Sequence, residues 1–280
     1  MRVWMALLLL AACGDDSSAT DGGADRVDSA VGERDAGDAP DASERDAGGA
    51  PDAGDPPDAG GRDAALDSAI EGPPHEQILA ERIGFGRFTT GGAGGPIVEV
   101  TTLADSGPGS LRAAAEAPGA AWIRFRVDGI INLDSAILVA SDKTIDGRGA
   151  DITVSGDGLF VQNGEGNVIL THFAMRDSSD DLIRFFNGGA RMWVHHMDLE
   201  NGGDGAFDAT EGTTEITISY THIRNHDKAM LVGAGSDDGD GDSMRWTGHH
   251  NWYDNCVQRL PFIRMGQAHS FNNLIEWISG

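Results

Sequence analysis

Four short β-branched runs recur at a fixed interval. KTIDGRG begins at residue 143, NVILTHF at 167, RMWVHHM at 191 and EITISYT at 215, each 24 residues after the one before. A fifth, MRWTGHHNWYD, begins at Met244, 29 residues later, and the extra length falls in the Gly/Asp stretch GAGSDDGDGDS. Strand-like segments at equal spacing, separated by Gly, Asn and Asp, indicate a stacked solenoid rather than a sandwich with unrelated loop lengths. A helical repeat would need apolar residues at a period of about 3.6 over ten or more positions, and none appears. The expected fold is all-β: a right-handed parallel β-helix, each coil laying its strands about 4.8 Å above those of the coil below.

The interval also serves as a ruler. A step of 24 from Asp180 reaches Asp204, and a second reaches Lys228; the longer step of 29 reaches position 257, two short of Arg259. Asp180 or Asp181, then Asp204 with Asp208, then Lys228, then Arg259 and Arg264 are therefore expected near one line down one face. Converging carboxylates repel one another, and a hard divalent cation relieves the repulsion. Ca2+ takes oxygen ligands in flexible geometry and leaves positions for substrate oxygens and water. Lysine and arginine beside such a metal make a place for an anion, and arginine suits a planar carboxylate. An acidic sugar polymer with a carboxylate at C5 fits: charge withdrawn from that group acidifies the C5 hydrogen, a base removes it, and the C4 oxygen leaves. The long flank of a solenoid suits an extended polymer.

The N-terminal quarter belongs to a different regime. MRVWMALLLLAAC has an apolar run too short to span a bilayer and is expected to be an export signal over residues 1–12. Its Leu-Ala-Ala-Cys ending resembles a bacterial lipobox, which implies lipidation of Cys13 and attachment at the cell envelope. Residues 13–74 repeat Asp-Ala-Gly at Asp35, Asp46, Asp52 and Asp58, carry prolines and lack aromatics, the composition of a disordered, self-repelling linker. Between residues 14 and 74 lie 17 acids against 4 bases, so about half of the net charge of −25 is a property of the linker and not of a binding site. Residues 75–280 fit one β-helix domain. A monomer is expected that touches membrane only through lipid on Cys13, with no nucleic-acid partner. The other cysteine, Cys256, then has no disulfide partner and reads as a small buried hydrophobe.

Taken in order, a set of segments resembles the pectate lyases of polysaccharide lyase family one: GFGRFTTGGAGG at 84, VTTLADSGPGSLRAA at 100, KTIDGRGADITVSGDG at 143, RMWVHHM at 191, DGAFDATEGTTEITISYTHI at 204, HDKAMLVG at 226, MRWTGHHNWYDN at 244 and QRLPFIR at 258. The resemblance covers nearly the whole folded part. It implies a right-handed parallel β-helix and Ca2+-dependent cleavage of polygalacturonate. By it, Asp181, Asp204 and Asp208 would hold the metal, with Asp180 beside them. Lys228 and Arg264 would bind substrate carboxylates, and Arg259 of the R-x-P-x-x-R motif would be the base. That last role requires neighbours that disfavour the charged guanidinium, which is ordinarily protonated.

The chain departs from the family at His195, which stands in Trp193-Val194-His195-His196 where the family has an acid, and is expected near the metal face. His172, His196, His222, His249 and His250 recur near strand ends and are read as hydrogen-bonded coil residues rather than transition-metal ligands. The acidic loop DDGDGD at 237–242 lacks the glutamate of an EF-hand and reads as a surface insertion. Three alternatives share the fold: a Ca2+-independent pectin lyase, a polygalacturonase hydrolysing by paired acids, and a surface-tethered β-helix that binds pectin without turnover. The sequence stops at Gly280, directly after one more strand-like run, so an uncapped, C-terminally truncated solenoid is expected.

Overall fold

A computed structural model describes residues 74–234 and 243–276. The expected signal peptide, Cys13, the linker up to residue 73 and the 237–242 loop lie outside the described residues.

The β-branched runs form an eight-stranded parallel sheet. Its order is Ile97–Val100, Ala121–Phe125, Lys143–Asp146, Val168–Thr171, Ala190–His195, Thr214–Ser219, Arg245–His249 and Gln267–Phe271, which is also chain order. The remaining strands stack in the same way in a second, twelve-stranded sheet, and its ladders too are parallel. Neighbours one coil apart, all parallel, make the right-handed parallel β-helix.

The spacing needs a correction at two steps. Met192 pairs with Val168 and Ile216 with Met192, both 24 apart, but Val168 pairs with Lys143 at 25 and Trp246 with Ile216 at 30. Run starts in the sequence mark where β-branched residues begin, whereas the ladder is fixed by which side chains point inward, so the two differ by a residue.

Inward positions of successive coils superpose into one core, with Ile145, Leu170, Val194 and Ile218 all fully buried. Two corners of the coil are built from left-handed residues. His172, His196, Tyr220, His250 and Asn272 have φ between 49° and 61°, as do Asp177, Asn201, Asn225 and Asn255 between 50° and 53°. Asn, Asp and His tolerate this region better than other side chains. At the second corner the amides also bond along the axis: Asn201 Nδ2 donates to Asp177 at 2.6 Å and Asn255 Nδ2 to Asn225 at 2.9 Å.

The outer face of the eight-stranded sheet is covered, which is why strands Lys143–Asp146 and Val168–Thr171 are buried on both sides. Ile78 and Leu79 of helix Pro74–Ala80 pack on Trp122, Ile169 and Trp193, side chains whose burial is worth about 1.5–3 kcal/mol each. The strap GFGRFTTGGAGG then runs across successive coils. Phe85 N–H donates to Thr247 Oγ1, Gly86 N–H to Thr217 Oγ1 and Gly92 N–H to Thr144 Oγ1, at 2.8–3.0 Å. Gly92 is required for the approach, because a Cβ there would lie 1.9 Å from the carbonyl oxygen of Ala121. Cys256 is a buried free thiol that donates to the Ile223 carbonyl at 3.3 Å.

Candidate active site

The predicted site residues all belong to the second sheet and its turns. Asp181 lies in the turn entering strand Ile183–Phe186, Asp204 and Asp208 flank or lie within Gly205–Ala209, Lys228 is on His222–Val232, and Arg259 and Arg264 bracket Phe262–Ile263. Stacking makes sequence-distant groups adjacent. Asp208 is in register with Arg184 on the coil below and Leu231 on the coil above, and Gly205 with Lys228.

Asp181 is almost wholly buried, and its Oδ1 accepts the Gly205 N–H at 2.7 Å. Burial, and next the charge of Asp208, push its carboxyl up to about 7, with Asp180 and Asp204 acting in the same direction. Asp208 is raised to about 6, first by burial, against the pull of Arg259. Its Oδ2 is 3.3 Å from Arg259 Nη1, while its buried Oδ1 has no hydrogen-bond partner among the described residues. Asp204 behaves oppositely: the hydrogen bond from Lys228 Nζ, at 2.5 Å, holds it below the ordinary carboxylate range.

One oxygen from each of Asp180, Asp181 and Asp204 falls within a sphere where all lie within 4.8 Å of one another. Asp180 is therefore a full member of the cluster. The group contains only oxygen donors, among them Asp181, raised by burial and by its acidic neighbours, and at its edge lies Asp208, raised chiefly by burial and carrying one orphaned buried oxygen. A hard cation of the Ca2+ class fits that donor set.

Arg259 has φ of 58°, a left-handed backbone for a long side chain, and presents its guanidinium to Asp208. Arg264 stacks over Phe262 at 5.0 Å and donates through Nη1 to the Ala234 carbonyl, a coil below; its described partners are these and not the aspartates. Arg259 and Arg264 nevertheless line one open hollow of about 390 Å³ with Gln258 and Phe262. Asp208 thus links Arg259 to the aspartate cluster, while Arg264 shares only the hollow.

Sequence reasoning missed Arg184. Its Nε is 3.7 Å from Asp181 Oδ2 and its Nη1 3.9 Å from Asp180 Oδ2, and its guanidinium lies 4.4 Å over Phe186. The signal was present, since Arg184 is 24 residues before Asp208. His195 is a correction in the other direction. It lies in the eight-stranded sheet beneath the N-terminal segment, 1% exposed, packed at a tilt against Trp193 and bonded to Ser219 and Glu81, and not on the metal face. The inward-outward alternation of its strand sends it to the strap side.

Residues 127–279 match the profile of a family described as pectate lyase. Over 218 residues the chain is 38% identical to a probable pectate lyase of Arabidopsis thaliana, covering 68% of this chain and 48% of that protein. It is 35% identical to a pectate lyase of Lilium longiflorum, over 70% of this chain and 51% of the other. The chain thus spans about half the length of these curated relatives. Among solved structures, the major cedar pollen allergen jun a 1 superposes with a TM-score of 0.68 at 34% identity, covering 72% of this chain and 66% of that one. A pectate lyase variant from Xanthomonas campestris has a TM-score of 0.54 at 22% identity, over 70% and 68%, a likeness of fold.

Proposed function

The chain belongs to the pectate lyase family, and we propose that its column of aspartates and cations cleaves polygalacturonate by Ca2+-dependent β-elimination, leaving 4,5-unsaturated oligogalacturonides. The observation that carries this reading is the convergence of Asp181 and Asp208, both raised by burial, beside Asp180, Asp204, Lys228 and Arg259.

Asp180, Asp181 and Asp204 would hold the cation, with Asp208 at its edge. When bound, Ca2+ supplies charge withdrawal from a galacturonate carboxylate, which acidifies the hydrogen at C5. Arg259 accepts that proton. The C5–H electron pair becomes the C4=C5 double bond, the C4–O bond breaks, and the departing oxygen takes a proton from water. To act as the base Arg259 must be in its neutral form, so the reading requires Ca2+ and Lys228 to oppose the guanidinium's charge when substrate is bound. Lys228 and Arg264 bind carboxylates of the polymer, Lys228 as a flexible point charge and Arg264 as a planar fork already stacked on Phe262. Export and lipid attachment through Cys13 belong to the same proposal, placing the enzyme where an extracellular polymer can reach it.

The test is ultraviolet absorbance of the unsaturated product from polygalacturonate, with Ca2+ and with chelator, beside Arg259→Lys. Absorbance growth that needs both Ca2+ and Arg259 supports the proposal. New reducing ends without absorbance identify a hydrolase, and binding without either identifies a non-catalytic pectin-binding surface.

A further inference from the structure

We propose that Glu81, His195 and His196 form a site for a borderline divalent transition metal of the Zn2+ class, on the opposite sheet from the aspartate column and independent of it. Glu81 comes from the segment just after helix Pro74–Ala80, 114 residues from His195, so no periodicity could have brought the three together. Docking of Ile78 and Leu79 onto Trp122, Ile169 and Trp193 holds Glu81 in place. Its Oε2 lies 3.0 Å from His195 Nε2, and one donor atom from each of the three residues lies within 4.8 Å of the others.

The surroundings resemble a built ligand set more than an incidental contact. His195 Nδ1 is 2.9 Å from Ser219 Oγ, which also accepts the Trp193 indole N–H at 2.9 Å. A hydroxyl so placed can accept Nδ1–H, which fixes the ring and leaves the Nε2 lone pair for a metal, the arrangement that outer groups give ligating histidines. His172 closes the cluster, its ring centroid 4.7 Å from that of His196 and 5.9 Å from that of His195. Arg148, nearby, is engaged by Asp146 at 2.8 Å. Glu81 and His196 are exposed to solvent, and a hollow of about 430 Å³ borders His172 and His196. Two nitrogens and one carboxylate oxygen, with room for water, suit Zn2+ better than Ca2+.

In the absence of metal the same atoms make a proton bridge between His195 and Glu81 that staples the N-terminal segment to the solenoid. The two roles separate by titration. The full, tag-free chain is titrated with Zn2+ by calorimetry and with Co2+ by visible absorbance, beside Glu81→Gln, His196→Ala and the outlying His222→Ala. The substituted side chains of the first two are solvent-exposed, so both variants are expected to fold, and melting curves check this. Saturable uptake of one Zn2+ per chain is expected, weakened at least about tenfold in Glu81→Gln and in His196→Ala and unchanged in His222→Ala. Co2+ is expected to give the intense visible bands of a low-coordinate site in wild type and in His222→Ala, and not in Glu81→Gln or His196→Ala. No saturable uptake, or equal affinity in Glu81→Gln and His196→Ala, overturns the proposal and leaves the cluster a structural staple.

Discussion

Asp181 and Asp208 aim carboxylate oxygens at the same bare Cα: a Cβ on Gly205 would lie 2.7 Å from Asp181 Oδ1 and 2.5 Å from Asp208 Oδ1. Neither oxygen can retreat far, because Asp181 Oδ1 is bonded to the Gly205 N–H and Asp208 is packed within its strand. Gly205→Ala is therefore expected to push the carboxylates apart, because the oxygens of Asp181 and Asp208 are the nearest atoms to the added methyl. Calcium affinity, read by isothermal titration, should fall at least about tenfold, the scale on which displaced metal surroundings act. Unchanged affinity with a wild-type melting curve would mean that the two carboxylates do not share a cation.

Asp181 at about 7 and Asp208 at about 6 give the metal-free protein a defined dependence on pH. A carboxyl whose folded value is raised stabilises the fold while it is protonated. Its contribution is complete below the ordinary carboxylate value near 3.8 and is lost as pH rises through the folded values. With chelator present, melting temperature should thus decline between about pH 4 and pH 7, by an amount on the order of a few kcal/mol in stability. Ca2+ binds only the deprotonated carboxylates and should reverse the trend above that range. Because Asp204 is lowered and works in the opposite sense, the informative quantity is the difference between wild type and Asp181→Asn. A difference that does not vary with pH would contradict the burial of Asp181.

The solenoid was legible because coil stacking writes itself into the chain as repetition, and the left-handed corners repeat as Asn, Asp and His. The aspartates and Lys228 were legible for the same reason, each being one coil from the next. Arg259 was reached only to within two residues, since the ladder step before it is 30 and its own turn adds one more. What the period could not reveal is whatever crosses the coils at right angles. Glu81 beneath His195 and the strap along Thr144, Thr217 and Thr247 depend on contacts 52 to 162 residues apart. His195 was misplaced because adjacent residues of a strand face opposite sides, and sequence distance to the aspartates says nothing about which side.

The strap makes its own testable claim. Gly92→Ala would drive a methyl into the Ala121 carbonyl at 1.9 Å, whereas at Gly94 nothing lies within 4 Å and only the φ of 83° opposes a side chain. Gly92→Ala should lift the strap from its threonines and destabilise the protein by about 1–3 kcal/mol, the range for overpacking against a rigid neighbour. Gly94→Ala should cost about 1 kcal/mol from backbone conformation alone. Denaturant melts of the two variants compare them directly, and equal losses would show that the close approach at Gly92 is not what seats the strap.

Arg184 gives the sharpest test of the column, because its charge opposes the metal while its position favours the polymer. It stands 3.7 Å from Asp181 and 3.9 Å from Asp180, so it competes with a divalent cation for the same oxygens. Arg184→Ala removes that competition, and calcium affinity should rise about two- to fivefold at low salt, the scale of a partly exposed ion pair, with the gain shrinking as salt is added. Yet the guanidinium held over Phe186 is also a ready fork for a galacturonate carboxylate beside the metal, so KM for polygalacturonate should rise in the same variant. Arg184→Lys should keep the charge and lose the fork, leaving calcium affinity near wild type with KM still raised. If calcium affinity falls in Arg184→Ala, the arginine is ordering the carboxylates rather than competing for them. If KM is unchanged in both variants, the polymer does not reach Arg184.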